Sequence, residues 1–186
     1  HYEPAYIILK GFSCMLVMTP SGALYGEADA VISAELRELS AYSTILAAIA
    51  RGENKLNDIF HATGFSRAKI SVYLKNLATF NIVEKVVSFE TGGWENAKKG
   101  VYQIKDTFVN FWFKFVYPNM SNLYLLSPEE FYDTYIEKEL DAYLERYFRE
   151  VCTEYLLILN QMGQLPFTIK RVGTWIGKTG RIDIVA

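Results

Sequence analysis

The sequence predicts a mainly α protein with a small amount of β, organised around a winged helix-turn-helix. Three observations predict it. Residues 40–80 hold three stretches with apolar residues at helical spacing, the last two joined by Thr63-Gly64-Phe65. Two short strand-like stretches follow directly, at residues 82–89 and 101–104, separated by a polar segment with glycines. The polar positions of the third helix are basic or neutral and none is acidic.

The first 34 residues are expected to be mostly helical or irregular. Apolar runs at 5–9 and 14–18 are short, and Thr19-Pro20-Ser21-Gly22 signals a turn. Ser40 is expected to cap a helix running to Arg51, with Tyr42, Ile45, Leu46 and Ile49 on one face and Gly52 ending it. A short helix over residues 55–62 buries Leu56, Ile59 and Phe60. After the turn at Gly64, Ser66 caps a helix over 67–80 that buries Ile70, Tyr73, Leu74 and Leu77. Asn81 suits a left-handed exit, since its short side chain tolerates positive φ. Helix, short helix, turn, helix and two-stranded ribbon is the winged-helix order.

A helical segment comes next. Thr107 is expected to cap a helix with a core stripe of Phe108, Phe111, Trp112 and Phe115, which Pro118 stops. Ser127-Pro128-Glu129-Glu130 starts another: a cap, proline in the first turn, then acids at the positive end of the helix dipole. One long helix or two reach about Met162, where Gly163 and Pro166 break the pattern. Residues 167–172, 174–176 and 181–186 read as strands.

Composition limits the chemistry. Hydrophobic residues make up 51% of the chain, enough to bury a core. Cys14 and Cys152 lie far apart in apolar surroundings and are expected to be free thiols in a cytoplasmic protein, and two Cys with two His give no zinc-ligand spacing. No apolar run reaches membrane-spanning length. There is no phosphate-cradling glycine loop followed by Lys-Ser or Lys-Thr, and no Ser-His-Asp or Cys-His set. The chain opens at His1 and stops at Ala186 inside a strand-like run, so it is expected to be a piece of a longer protein.

Charge is unevenly spread. Residues 65–105 carry seven bases (Arg67, Lys69, Lys75, Lys85, Lys98, Lys99, Lys105) against three acids, whereas residues 127–160 carry nine acids against three bases. Different surfaces for different partners are implied. In the third helix Arg67, Lys69, Ser71, Lys75 and Asn76 lie off the buried face, as a helix in a DNA major groove requires: bases meet phosphates, and Arg or Asn reads base edges. Lys98 and Lys99 sit where a wing tip would touch the DNA backbone, and Trp94 in the same loop either stacks on a partner or folds over the core. The alternative is a solvated basic face in a winged helix used for protein contacts. Glu137, Asp141, Glu145 and Glu154 read as the solvated side of a helix.

Several stretches together resemble the C-terminal half of a prokaryotic, mainly archaeal, AAA-type ATPase family: YSTILAAIARG at 42–52, VYLKNL at 72–77, YQIKD at 102–106 followed by FWFKFVYP at 111–118, FREVC at 148–152 and IDIVA at 182–186. The resemblance implies an ATPase lid tail over 1–35, the winged helix-turn-helix over 36–106, and over 107–186 a helical linker with the start of a truncated α/β domain similar to restriction endonucleases. It implies ATP and Mg for the parent protein, bound outside this chain. A nuclease-like domain of that kind uses an acid on its first helix and an Asp on its second strand to hold a divalent metal that activates water. Asp183 matches the strand aspartate. At the helix position, where the family usually has Phe-Glu, this chain has Phe148-Arg149, and Glu150 lies one position on. Three functions are therefore in view: double-stranded DNA binding by residues 36–106 coupled to the ATPase domain, metal-dependent nuclease chemistry through Asp183 and Glu150, and a winged helix that contacts only protein, the ATPase or a second copy in a homo-oligomer.

Overall fold

The computed structural model describes residues 3–28, 30, 33, 38–91, 100–177 and 180–186. Trp94, Lys98 and Lys99 lie outside them. The chain divides into two compact units, each built from two stretches: His1–Glu84 with Tyr102–Lys138, and Lys85–Val101 with Glu139–Ala186.

In the first unit α1 (Glu3–Leu16) is followed by turns through residues 17–26. Helices α2 (Leu39–Ala50), α3 (Leu56–Thr63) and α4 (Arg67–Thr79) then appear at the expected places. Tyr42, Ile45, Leu46, Ile49, Ile70, Tyr73, Leu74 and Leu77 are buried, so the helical periodicity identified the core face of α2 and α4, whereas in α3 only Ile59 is buried and Leu56 and Phe60, expected in the core, are half-buried. Gly64 takes φ +69°, a left-handed conformation open to glycine at little cost, and lets α3 turn into α4. Ser66 Oγ accepts from Lys69 N and caps α4, and Asn81 exits at φ 57°. Two helix starts differ from expectation. Ser40 lies inside α2, behind Glu38, whose side chain makes no cap bond. Asp106, not Thr107, caps α5 (Thr107–Phe111), because its carboxylate reaches Val109 N at 2.8 Å.

The aromatic segment is correct in position and rotated in register. The buried set is Val109, Trp112, Phe113 and Val116, spaced i, i+3, i+4, i+7, with Phe115 beside it, while Phe108 and Phe111 are only half-buried. Nearly every position from 108 to 117 is apolar, so several faces satisfy helical spacing and sequence alone does not choose among them. A wide π turn over Trp112–Val116, closed by Tyr117 N to Trp112 O, continues α5 and packs against α2. Pro118 does not end the helical path; it sits in a 3-10 turn that leads into α6 (Met120–Leu123). Helix α7 (Pro128–Tyr135) starts with a complete capping box: Ser127 Oγ accepts from Glu130 N, and Glu130 Oε2 accepts from Ser127 N at 2.9 Å. It packs on α1, where Lys10 pairs with Asp133 and the Cys14 thiol faces the Pro128 carbonyl at 3.4 Å.

Strands β1 (Val83–Val86) and β2 (Val101–Ile104) pair as the expected ribbon, and a 3-10 turn (Phe89–Thr91) replaces the outer end of the first predicted strand. At Gly100 a Cβ would stand 2.8 Å from the Lys85 side chain and 3.0 Å from the Val86 carbonyl, so a larger residue would displace the lysine and crowd the facing strand.

The second unit holds the ribbon's outer part, the long helix α8 (Leu140–Gln161), and the antiparallel pair β3 (Gly173–Ile176) and β4 (Arg181–Val185). Residues 167–172 are not a strand. The backbone N–H and C=O of Ile169 bond instead to the Asn160 side chain at the end of α8, at 2.7 and 3.2 Å. Glu137, Asp141, Glu145 and Glu154 are solvated as expected, and so are Phe148, Val151, Tyr155 and Ile158 on α8. Cys14 is buried and Cys152 half-buried, both as free thiols. Among the described residues, no helix is long and apolar enough to cross a membrane.

Trp112 Nε1 is buried with no hydrogen-bond partner among the described residues. Trp112→Ala is therefore expected to cost about 3–5 kcal/mol by cavity formation, and Trp112→Phe clearly less, because it removes a polar atom that makes no bond; urea denaturation measures both. Ser127→Ala should cost about 0.5–2 kcal/mol. The bonds from Ser127 hold the Glu130 carboxyl below its usual 4.5. Its contribution is thus present above the unfolded value and lost as pH falls through the folded one. The stability gap between wild type and Glu130→Ala should narrow when the denaturation is repeated in acid.

Candidate functional site

Helix α4 presents Arg67, Ala68, Ser71, Val72, Lys75, Ala78 and Thr79 to solvent, and no carboxylate stands among them. The helix turns this face outward because Ile70, Tyr73, Leu74 and Leu77 fix the opposite one. Val72 is 57% exposed, a large apolar side chain at the centre of a polar face. Sequence reasoning passed over it and Ala68, although an apolar residue off the buried stripe was the available signal.

The basic residues of this face are held in place. The Arg67 guanidinium lies 4.0 Å over the Phe60 ring and donates to Asn57 Oδ1 at 2.5 Å, which stacks it on α3. Lys69 Nζ stands 4.6 Å from the Phe65 ring and 3.7 Å from Glu38 Oε2. Glu38 also accepts from the Tyr73 hydroxyl, and that bond pushes the Tyr73 pKa up to about 12. Glu38, missed in the sequence because it is an ordinary acid ahead of a helix, thus offsets the charge of Lys69. Ser71 Oγ donates to the Arg67 carbonyl at 2.8 Å. Asn76 Nδ2 donates to Tyr42 Oη at 2.8 Å, so its amide ties α4 to α2. Lys75 is exposed and makes no ion pair among the described residues. Of the predicted set, Arg67, Ser71 and Lys75 share the open face, Lys69 borders it beside an acid, and Asn76 points into the helix contact.

Residues 88–90, which follow β1, bond to residues 171–176 within the second unit. Arg171 donates to the Phe89 carbonyl at 2.7 Å and lies 4.0 Å over the Phe89 ring. Trp175 Nε1 donates to Glu90 Oε1 at 2.7 Å, and Ile176 N to Ser88 Oγ at 3.1 Å.

Asp183 and Glu150 do not meet as a carboxylate pair in the contacts they make. Arg181 and Asp183, two apart on β4, share a strand face. Asp183 Oδ1 receives Arg181 Nε at 2.8 Å and Arg149 Nε of α8 at 3.2 Å. Glu150 pairs with Arg146 at 3.7 Å, one turn back. Burial lowers the Arg181 pKa, Arg149 and Arg146 lower it further by repulsion, and Asp183 opposes them. Among the described residues, no group of three His, Cys, Asp or Glu side chains is placed to hold a metal ion.

Residues 112–186 match the DUF234 family, described as archaeal and bacterial proteins of unknown function. An uncharacterized protein of Methanocaldococcus jannaschii is 34% identical over 161 residues, which are 86% of this chain and 35% of the relative. The chain thus spans about a third of that relative's length. No solved structure matches.

Tyr73 offers a direct check of the α4 electrostatics. Glu38→Gln is expected to bring its pKa back toward 10, seen as a shift in an ultraviolet difference titration of the phenolate. A tyrosine pKa raised by folding contributes stability that is present below the unfolded value and lost as pH rises through the folded one, so the variant's deficit should fade in strong alkali.

Proposed function

We propose that residues 36–106 dock double-stranded DNA through the outward face of α4, and that this docking is coupled to an ATP-binding domain outside these residues. The observation that carries the reading is the acid-free surface of α4, with Arg67 and Lys75 for phosphates and Val72 and Ala68 between them for the apolar part of the groove floor, where thymine methyl groups lie. Stacking of Arg67 on Phe60 supports it, because a guanidinium already ordered loses less freedom when it meets a phosphate. ATP and Mg belong to the coupled domain in this reading.

A second reading has specific support. Residues 88–90, in the segment that joins the two ribbon strands, are already bonded to residues 171–176, as in a wing used for contacts within the protein or with another subunit. In that case α4 faces the ATPase domain or a second copy of the chain.

The two separate by titrating the protein against a labelled random-sequence duplex at low and near-physiological salt. DNA docking predicts binding that weakens steeply with salt, a salt slope flatter by about one unit in Lys75→Gln, and loss of affinity in Val72→Glu. Absence of binding at low salt sinks the DNA reading in favour of the protein contact.

A further inference from the structure

We infer that Asp183 is the centre of an arginine clamp joining α8 to β4, and that this position holds no divalent cation. A cation site at the start of a nuclease-like domain needs carboxylates from the helix and the strand to face one another with their charge unspent. Here the helix supplies Arg149, and its Nε reaches the same oxygen of Asp183 that accepts Arg181. The second acid, Glu150, is directed to Arg146 on its own helix. Arg149 and Arg181 thus share one oxygen of Asp183, and Arg146 faces Glu150. A metal ion at Asp183 would displace two charge-assisted bonds and sit among like charges. The strain already present has the same sign, since Arg149 and Arg146 both make it harder for Arg181 to stay charged.

The arrangement has a local logic. Arg146, Arg149 and Glu150 lie within little more than one helical turn, and Arg181 and Asp183 alternate onto one face of β4. Exchange of an acid for Arg149 converts a pair that needs a cation between its members into a pair that bonds directly. The clamp is a positioning device: it fixes the strand on the helix and does no chemistry on water.

Two measurements on the protein test this. Mn2+ binding is followed by its electron paramagnetic resonance signal in wild type and in Asp183→Asn. The expected result is identical titrations. Mn2+ bound by wild type and released by Asp183→Asn would overturn the inference. Thermal unfolding is then measured for Arg149→Gln, Asp183→Asn and the double variant. The clamp predicts that the double variant loses less than the sum of the two single losses. Strictly additive losses overturn the clamp, and they do so without bearing on whether α4 binds DNA.

Discussion

The burial of Trp112, Phe113, Phe115 and Val116 beneath α2 is the constraint on which the first unit rests. Each large side chain removed from water there contributes on the order of 1.5–3 kcal/mol, more than any cap or ion pair on the surface. With α2 held from below, α3 packs on it and α4 packs on α3 in turn, and the turn at Gly64 only has to set a crossing. The Tyr42 and Tyr73 rings, 4.3 Å apart, and the bond from Asn76 to Tyr42 then fix how α4 lies on α2. The outward face of α4 is a by-product of that packing: what cannot turn inward is what a partner meets.

The three helices between residues 39 and 79 were legible because their signals are local. Amphipathic spacing, a glycine that must adopt positive φ, Ser66 at a helix start and the Ser127-Glu130 pair each act over a few residues. The misplaced caps show the limit of that logic. Asp106 and Thr107 are adjacent and both able to cap; the chain uses the one whose oxygen reaches the third amide on. Register failed at residues 108–116 for a different reason. A segment apolar on nearly every side carries no periodic contrast, so only the shape of α2 decides which side is buried.

The candidate site was legible as a list and not as a set of contacts. Nothing near Asn76 in the chain signals that its amide will be used by Tyr42, 34 positions earlier, or that Glu38 will sit beside Lys69. Asp183 shows the same gap: its strand setting was readable, but its partners depend on where α8 runs. The one clue was Arg149 in a position where a carboxylate was expected, and a reversed charge at an otherwise matching position is a strong reason to doubt the chemistry that the match suggests.

The ribbon has a further consequence, in the order of folding. Its two strands are complete at residue 104, yet the groups that bond to residues 88–90 lie 82 to 88 positions further along the chain. Closing so long a loop is slow compared with forming a helix or a hairpin. During synthesis from the N-terminus, Phe89 and Glu90 are therefore made well before Arg171 and Trp175, which bond to them. Because each compact unit is assembled from two separate stretches, no single cut in the polypeptide separates one from the other.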